Sequence, residues 1–326
     1  LCFWSSQMIS LSRKEIEALI DLPRAAAEVE KAYRLSSQGD ANLPPVGHIV
    51  FPEFEADCHI KYGHLKGDEN FVIKVATGFP RNVEAGMLAG NGLMMVLSAE
   101  TGEVKAVLHD EAMLTDIRTG IGGAIATNAL ANQNFEKILI IGSGEQARRQ
   151  IEAHVAQVQK DLSFQVWGRN EERVTNLINS VSHLCQATMA KDLEEAVGNA
   201  DVIVTATGST KPIVQSDWVQ PGTHITAVGA DAPGKQELET ELVARADILV
   251  ADKIDQCVDH GEVSHAAVAA SIGVTSIKEL GSVLSGETSG RTEEKQITIA
   301  DQTGIAAQDI AMANSVLAVW AETNGQ

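Results

Sequence analysis

Lys137-Ile138-Leu139-Ile140-Ile141-Gly142-Ser143-Gly144-Glu145-Gln146-Ala147 is the stretch that decides the fold. Ile138 to Ile141 make a short apolar, largely β-branched run suited to a buried parallel strand. Gly142 and Gly144 follow at once, Ala147 stands where a third glycine would, and a helix-compatible segment runs on to about Gln159. Strand, glycine turn and helix N-terminus together form the setting that a dinucleotide needs. Gly142 permits the tight turn, Gly144 lets backbone N–H groups approach a pyrophosphate, and the helix dipole favours that anion. Small Ala147 lets helix and strand pack closely. These three residues, with Ser143, Glu145 and Gln146, are the cofactor-binding candidates. The competing reading is a plain glycine-rich turn between strand and helix.

From Lys137 onward the pattern alternates. It predicts strands at 138–141, 164–168, 202–206, 224–229 and 247–251 with helices between them. That order implies α/β architecture, a Rossmann-type doubly wound parallel sheet. The first third reads differently. Ser12 and Glu15 have capping-box spacing ahead of one helix, and a second is predicted from Leu22 to Ser36. Strands are predicted at 47–51, 58–62, 70–76, 93–98 and 104–109, and a long small-residue helix from Met113 to Ala131. This part is α+β. Asp301 to Thr323 reads as a closing helix of small residues.

The chain has 326 residues, enough for two cores, and a net charge of −19. Such an acidic balance argues against nucleic-acid or anionic-membrane binding as the main role. Four cysteines (Cys2, Cys58, Cys185, Cys257) are far apart and form no C-x-x-C pair, so no zinc or disulfide framework is expected and a reducing cytoplasm is the default. No apolar run reaches transmembrane length, and no signal peptide is expected. Leu1 to Gln7 fit no element and read as an upstream extension.

The second predicted strand of the alternating part ends Trp167-Gly168-Arg169-Asn170, with no acid at its tip. An acid there commonly binds the ribose 2′-OH. Arg169 instead suits a 2′-phosphate, which favours NADPH, with NADH as the lesser option. A solvated loop arginine is the alternative. Trp167, Thr119, Thr207 and Val228, the last two at strand ends, complete the cofactor candidates.

Three further blocks carry chemistry. Lys74-Val-Ala-Thr-Gly78-Phe-Pro80-Arg-Asn82 sets a lysine in an apolar strand, where it needs an anionic partner: a substrate carboxylate or an internal salt bridge. Leu114-Thr115-Asp116-Ile117-Arg118-Thr119 offers a planar guanidinium fork for a carboxylate, or an ion pair with Asp116 or another acid. Val228-Gly229-Ala230-Asp231 follows a predicted strand, and Asp231 is the acid/base candidate, with a capping role as the alternative. His59 and Lys61, two apart in a strand, share one face and are candidate substrate contacts. No histidine pair lies at metal-ligand sequence spacing, and no metal is expected.

These blocks, in this order around Gly142–Ala147, resemble the ornithine cyclodeaminase/mu-crystallin family, as does Thr303-Gly304-Ile305-Ala306-x-Gln308-Asp309. The resemblance covers nearly the whole chain from Met8. It implies a homodimer, with 8–122 and 304–326 forming a substrate-binding and dimerisation domain around a Rossmann domain at 123–303. It implies that Lys74 and Arg118 hold a carboxylate, that Asp231 handles protons or the substrate nitrogen, and that Glu145 and Gln146 add to the pyrophosphate site. Family reactions share hydride transfer at the α-carbon of an amino or imino acid. Cyclodeaminase-like members carry an arginine after the proline-rich turn, where this chain reads Pro44-Pro45-Val46-Gly47-His48. His59–Gly63 and Trp167–Arg169 look more like the ketimine-reductase side. The resulting expectation is an NAD(P)H-dependent reductase of Δ1-pyrroline-2-carboxylate, with Δ1-piperideine-2-carboxylate as a second substrate. The alternatives are an ornithine cyclodeaminase and a non-catalytic NADPH-binding protein.

Overall fold

The alternating strands and helices around Gly142 are present in the computed structural model, which describes residues 8–158, 160–269 and 271–325. Leu1 to Gln7, with Cys2, lie outside the described residues, as does Gln159, the expected end of the helix after the glycine turn. Cys58, Cys185 and Cys257 are free thiols.

The first elements are β1 (Ile9–Ser12), α1 (Arg13–Glu17), α2 (Leu22–Ser37), β2 (Ala41–Asn42), β3 (Gly47–Phe51), β4 (Ala56–Leu65), β5 (Asn70–Gly78), β6 (Gly90–Ser98), β7 (Val104–His109) and α3 (Met113–Leu130). There follow β8 (Lys137–Ile141), α4 (Glu145–Gln157), β9 (Ser163–Trp167), α5 (Glu171–Val181), β10 (Gln186–Met189), α6 (Leu193–Asn199), β11 (Val202–Thr205), β12 (Thr210–Val214) and β13 (His224–Ala227). The chain closes with β14 (Gln236–Leu238), α7 (Thr240–Ala244), β15 (Ile248–Ala251), α8 (Ile254–His260), α9 (Glu262–Val268), β16 (Lys278–Glu279), α10 (Leu280–Leu284), β17 (Thr298–Asp301) and α11 (Ala306–Asn324).

Two compact units result. One is built from the chain up to Arg118 and from Ile305 onward, the other from Thr119–Gly304; the sequence reading put the breaks at 122/123 and 303/304. The first unit holds a sheet of order β1-β7-β6-β5-β4-β2, with β3 also on β4. Only β1 and β7 pair in parallel in this sheet. Asp21 caps α2 by accepting from the Arg24 N–H at 3.0 Å. Ala25, Val29, Ala32 and Tyr33 then recur on one helical face and are buried. α11 packs against α2, β4 and β5.

The second unit holds an eight-stranded sheet of order β10-β9-β8-β11-β13-β17-β15-β16, parallel throughout. Both faces are covered. Leu139 and Ile141 of β8 enter one core with Ile203, Ile225 and Ile299, while Ile138 and Ile140 enter the other with Phe164, Val166 and Val204. A strand buried on both faces reads as a continuous apolar run, which is why β8 was legible. Three strands of this sheet were not: β10, β16 and β17. Thr298–Asp301 lies between β13 and β15 as β17, where the sequence reading began the closing helix. Gly304, at φ +77°, breaks the chain there, and α11 starts only at Ala306. Gln186–Met189 adds β10 at the sheet edge.

Candidate functional site

In the first unit the sheet and α11 bring three cations toward one acid. Lys61 on β4 stands directly opposite Lys74 on β5, and both side chains are buried. Arg118 arrives from α3 and Asp309 from the first turn of α11. Lys74 Nζ lies 3.1 Å from Asp309 Oδ2, and Arg118 Nε donates to Asp309 Oδ1 at 3.1 Å. Asp309 is therefore a partner that both cations share. Gln308 holds Arg118 at side chain and main chain: its Oε1 accepts from Arg118 Nη1 at 3.2 Å, and its Nε2 donates to the Arg118 main-chain carbonyl at 3.1 Å.

Charge is unevenly matched here. Burial alone would raise the Asp309 carboxyl, but Lys74, Arg118 and Lys61 hold it below its ordinary value, so it is ionised. Burial pushes the Lys74 ammonium down, and Asp309 offsets that only in part. Buried Asp110 accepts from the Leu114 N–H at 2.9 Å, yet burial pushes it toward its protonated form. Lys74 and Arg118 thus share one ionised carboxylate, and this pair carries more positive charge than Asp309 alone offsets. Such a surplus is costly unless an anion joins it. The sequence reading missed Asp309 and Gln308 as site residues. The quoted motif contained both, but no local signal ties them to cations far away in the chain. His59 is half-buried on the same face as Lys61 and stands beside His48 and Asp57.

In the second unit the cofactor candidates gather along the carboxyl edge of neighbouring strands. The Gly142 N–H donates to the Trp167 carbonyl at 2.8 Å, Ala206 N–H to Ile141 at 2.8 Å, and Val228 N–H to Thr205 at 3.0 Å. These bonds put Gly142, Trp167, Thr207 and Val228 on adjacent strand ends. Strand order reverses beside β8, so this edge is the topological switch point, where open α/β sheets bind ligands. Gly142 sits at φ +138°, and a Cβ there would come within 2.5 Å of the Ala206 carbonyl. Gly144 caps α4 with open space beside it, and Ser143 packs against Gly168. An open glycine at a helix N-terminus fits a pyrophosphate. Ala147 is buried beneath the helix, and Gln146 is half-buried in its first turn. Arg169 is exposed past the end of β9. The Thr119 carbonyl accepts from Gln150 Nε2 of α4 at 3.0 Å.

Two candidates are otherwise engaged. Glu145 forms ion pairs with Arg148 and, at 2.9 Å, with Arg149; burial alone would raise its carboxyl, but these partners lower it. Asp231 is 41% exposed and lies 2.6 Å from Lys235 Nζ. A residue left without a role in the sequence reading, Glu237, fixes the strand ends. Its carboxylate accepts from Thr205 Oγ1 at 2.7 Å, Thr207 N–H at 2.6 Å and Gly229 N–H at 2.9 Å.

A doubly wound parallel sheet with a glycine-lined helix N-terminus at its switch point defines a dinucleotide-domain protein, and its first unit carries buried cations paired with Asp309. The profile of the ornithine cyclodeaminase/mu-crystallin family matches residues 6–324, and the chain belongs to that family. It is 36% identical over 314 residues to an alanine dehydrogenase of Archaeoglobus fulgidus, covering 95% of this chain and 94% of that protein. It is 31% identical over 312 residues to a Δ1-pyrroline-2-carboxylate reductase of Bacillus cereus, covering 94% of each. The structure of the iminosuccinate reductase of Paracoccus denitrificans in complex with NAD+ superposes with a TM-score of 0.89 at 29% identity, covering 98% of this chain and 97% of that one. Among the described residues no helix is long and apolar enough to cross a membrane.

Proposed function

We propose that the protein is a nicotinamide-dependent oxidoreductase that reduces a small cyclic imino acid, Δ1-pyrroline-2-carboxylate, to L-proline. The observation that carries this reading is the surplus positive charge at Lys74 and Arg118, two buried cations sharing Asp309. A substrate carboxylate supplies the missing anion. The guanidinium, held by Gln308, gives it a bidentate fork, which fixes the face of the imine presented for reaction. Lys61 adds to the same field. A protonated imine accepts hydride far better than a neutral one. Lys74, its ammonium already pushed down by burial, is suited to give up a proton, and Asp231 is assigned to handle protons at the substrate nitrogen. The nicotinamide supplies the hydride when bound. Gly142, Gly144 and the α4 N-terminus hold its pyrophosphate, and Glu237 keeps the strand ends beside it in place. The relatives named above are an alanine dehydrogenase, a Δ1-pyrroline-2-carboxylate reductase and an iminosuccinate reductase, the last solved with NAD+. Exposed Arg169 supports NADPH as the preferred cofactor, NADH being accepted. A homodimer is part of the same reading.

The test follows NADPH and NADH absorbance with enzyme and Δ1-pyrroline-2-carboxylate, and ammonia release from ornithine with NAD in parallel. Rapid NADPH loss with the imine, abolished in Arg118→Ala, is the expected result. Near-normal turnover in Arg118→Ala overturns the carboxylate role. Ammonia and proline from ornithine without imine reduction make the protein a cyclodeaminase. Cofactor binding without any turnover makes it a binding protein.

A further inference from the structure

We infer that His48, His59 and Asp57 form a binding site for a borderline divalent cation of the Zn2+ type, on the outer edge of the first unit's sheet. Sequence spacing conceals it, because two of the ligands come from different strands. His48 on β3 lies directly opposite His59 on β4, and Asp57 precedes His59 by two residues on the same face. The imidazole centroids are 4.4 Å apart, with the rings tilted by 49°. His48 Nε2 is 3.7 Å from Asp57 Oδ2, and His59 Nε2 is 3.8 Å from the same oxygen. One ligand atom from each residue lies within 4.8 Å of the other two, and among the described residues this is the one such cluster.

These separations are too long for hydrogen bonds between the ligands. They lie just above the roughly 3.4 Å that separates two ligands of a tetrahedral ion with bonds of about 2.0–2.1 Å. Small rotamer shifts close the difference. The β5 residue opposite Asp57 is Gly78, where a Cβ would come within 2.9 Å of Asp57 Oδ1, so the glycine leaves the carboxylate its room. Two imidazoles and one carboxylate select Zn2+, Co2+, Ni2+ or Cu2+ over Mg2+ or Ca2+, which take oxygen ligands. All three side chains keep partial exposure, at 27%, 19% and 32% for His48, His59 and Asp57, so water completes the coordination and the ion has a way in. β3 pairs only with β4, and the ion pins this edge strand to its neighbour.

Calorimetric titration of the chelator-stripped full chain with ZnCl2 at pH 7.5 tests the site. One Zn2+ per chain is expected. Outer-shell partners of metal sites already cost about tenfold or more in affinity, so losing a ligand in His48→Ala or Asp57→Asn costs at least that. Gly78→Ala weakens binding as well, by crowding Asp57. Co2+ gives a second readout on the unmodified protein, an intense tetrahedral d–d band that competes away with Zn2+. His48→Gln serves if His48→Ala does not fold. Absence of Zn2+ binding in the unmodified chain overturns the site. So does binding that is unchanged in a folded His48 variant, since the ion then sits elsewhere.

Discussion

The two units bury titratable groups in opposite ways. In the first, buried cations surround an acid that stays ionised: Asp309 stands between Lys74 and Arg118. In the second, burial shifts several titratable groups toward their neutral forms. His154 bonds the Gln150 carbonyl at 2.7 Å and Thr127 Oγ1 at 2.9 Å, and burial lowers it to about 4. His224 bonds Thr298 and Thr226 and is lowered to about 3, mainly by burial with help from Arg291. Burial raises Glu237 and Glu262, and lifts Asp301 to about 7. Among the described residues no lysine or arginine pairs with these three acids.

The strongest way to break this contrast is to remove the shared acid. Asp309→Asn leaves two buried cations without an anion, and the loss should be about 3–5 kcal/mol in urea denaturation. Acidification acts on the second unit. Buried His154 and His224 are neutral when folded but charge below about pH 6.5 when unfolded. Their contribution is therefore full above that pH and drains away as pH falls toward their folded values of about 4 and 3. About 2 kcal/mol per histidine should be lost between pH 6.5 and 4.5. His154→Asn should flatten the slope of melting temperature against pH. A slope unchanged in that variant places the acid sensitivity elsewhere.

Asp301 has the opposite sign. Its folded value is raised, so the fold loses stability as pH rises from 3.8 through about 7. Asp301→Asn should therefore gain on the unmodified protein, on the order of 1–2 kcal/mol at pH 8, with the gain fading by pH 4. A constant difference across that range would mean that packing, not charge, sets it. The smallest effect on stability should come from Arg118→Ala, about 1 kcal/mol, because Lys74 and Asp309 remain a balanced pair. A melting curve close to that of the unmodified protein, together with lost turnover, separates binding from folding.

How much of this was legible in the sequence follows from where each signal is written. β8 and α4 were readable because apolar run, glycine turn and helix lie within one short stretch. α2 was expected from Leu22 to Ser36 and runs from Leu22 to Ser37, capped by Asp21. β17 was passed over because four residues, Thr298–Asp301, abut a helix-like segment, although Gly304 held the stop signal. β10 lies at the sheet edge and carries no continuous apolar run. Lys74 and Arg118 read as needing either a substrate carboxylate or an internal acid, and the acid that pairs with them comes from another part of the chain. The His48–His59 pair needs strand register, which single-strand spacing does not contain.

Asp309 lies 235 residues after Lys74 and 191 after Arg118. During synthesis, at roughly 5–20 residues per second, the arginine waits about 10–40 s for its counter-ion. The whole of the second unit, which ends at Gly304, emerges in that interval. The unit that begins the chain is therefore the last to become electrically complete, and until α11 leaves the ribosome Lys74 and Arg118 must stay in water.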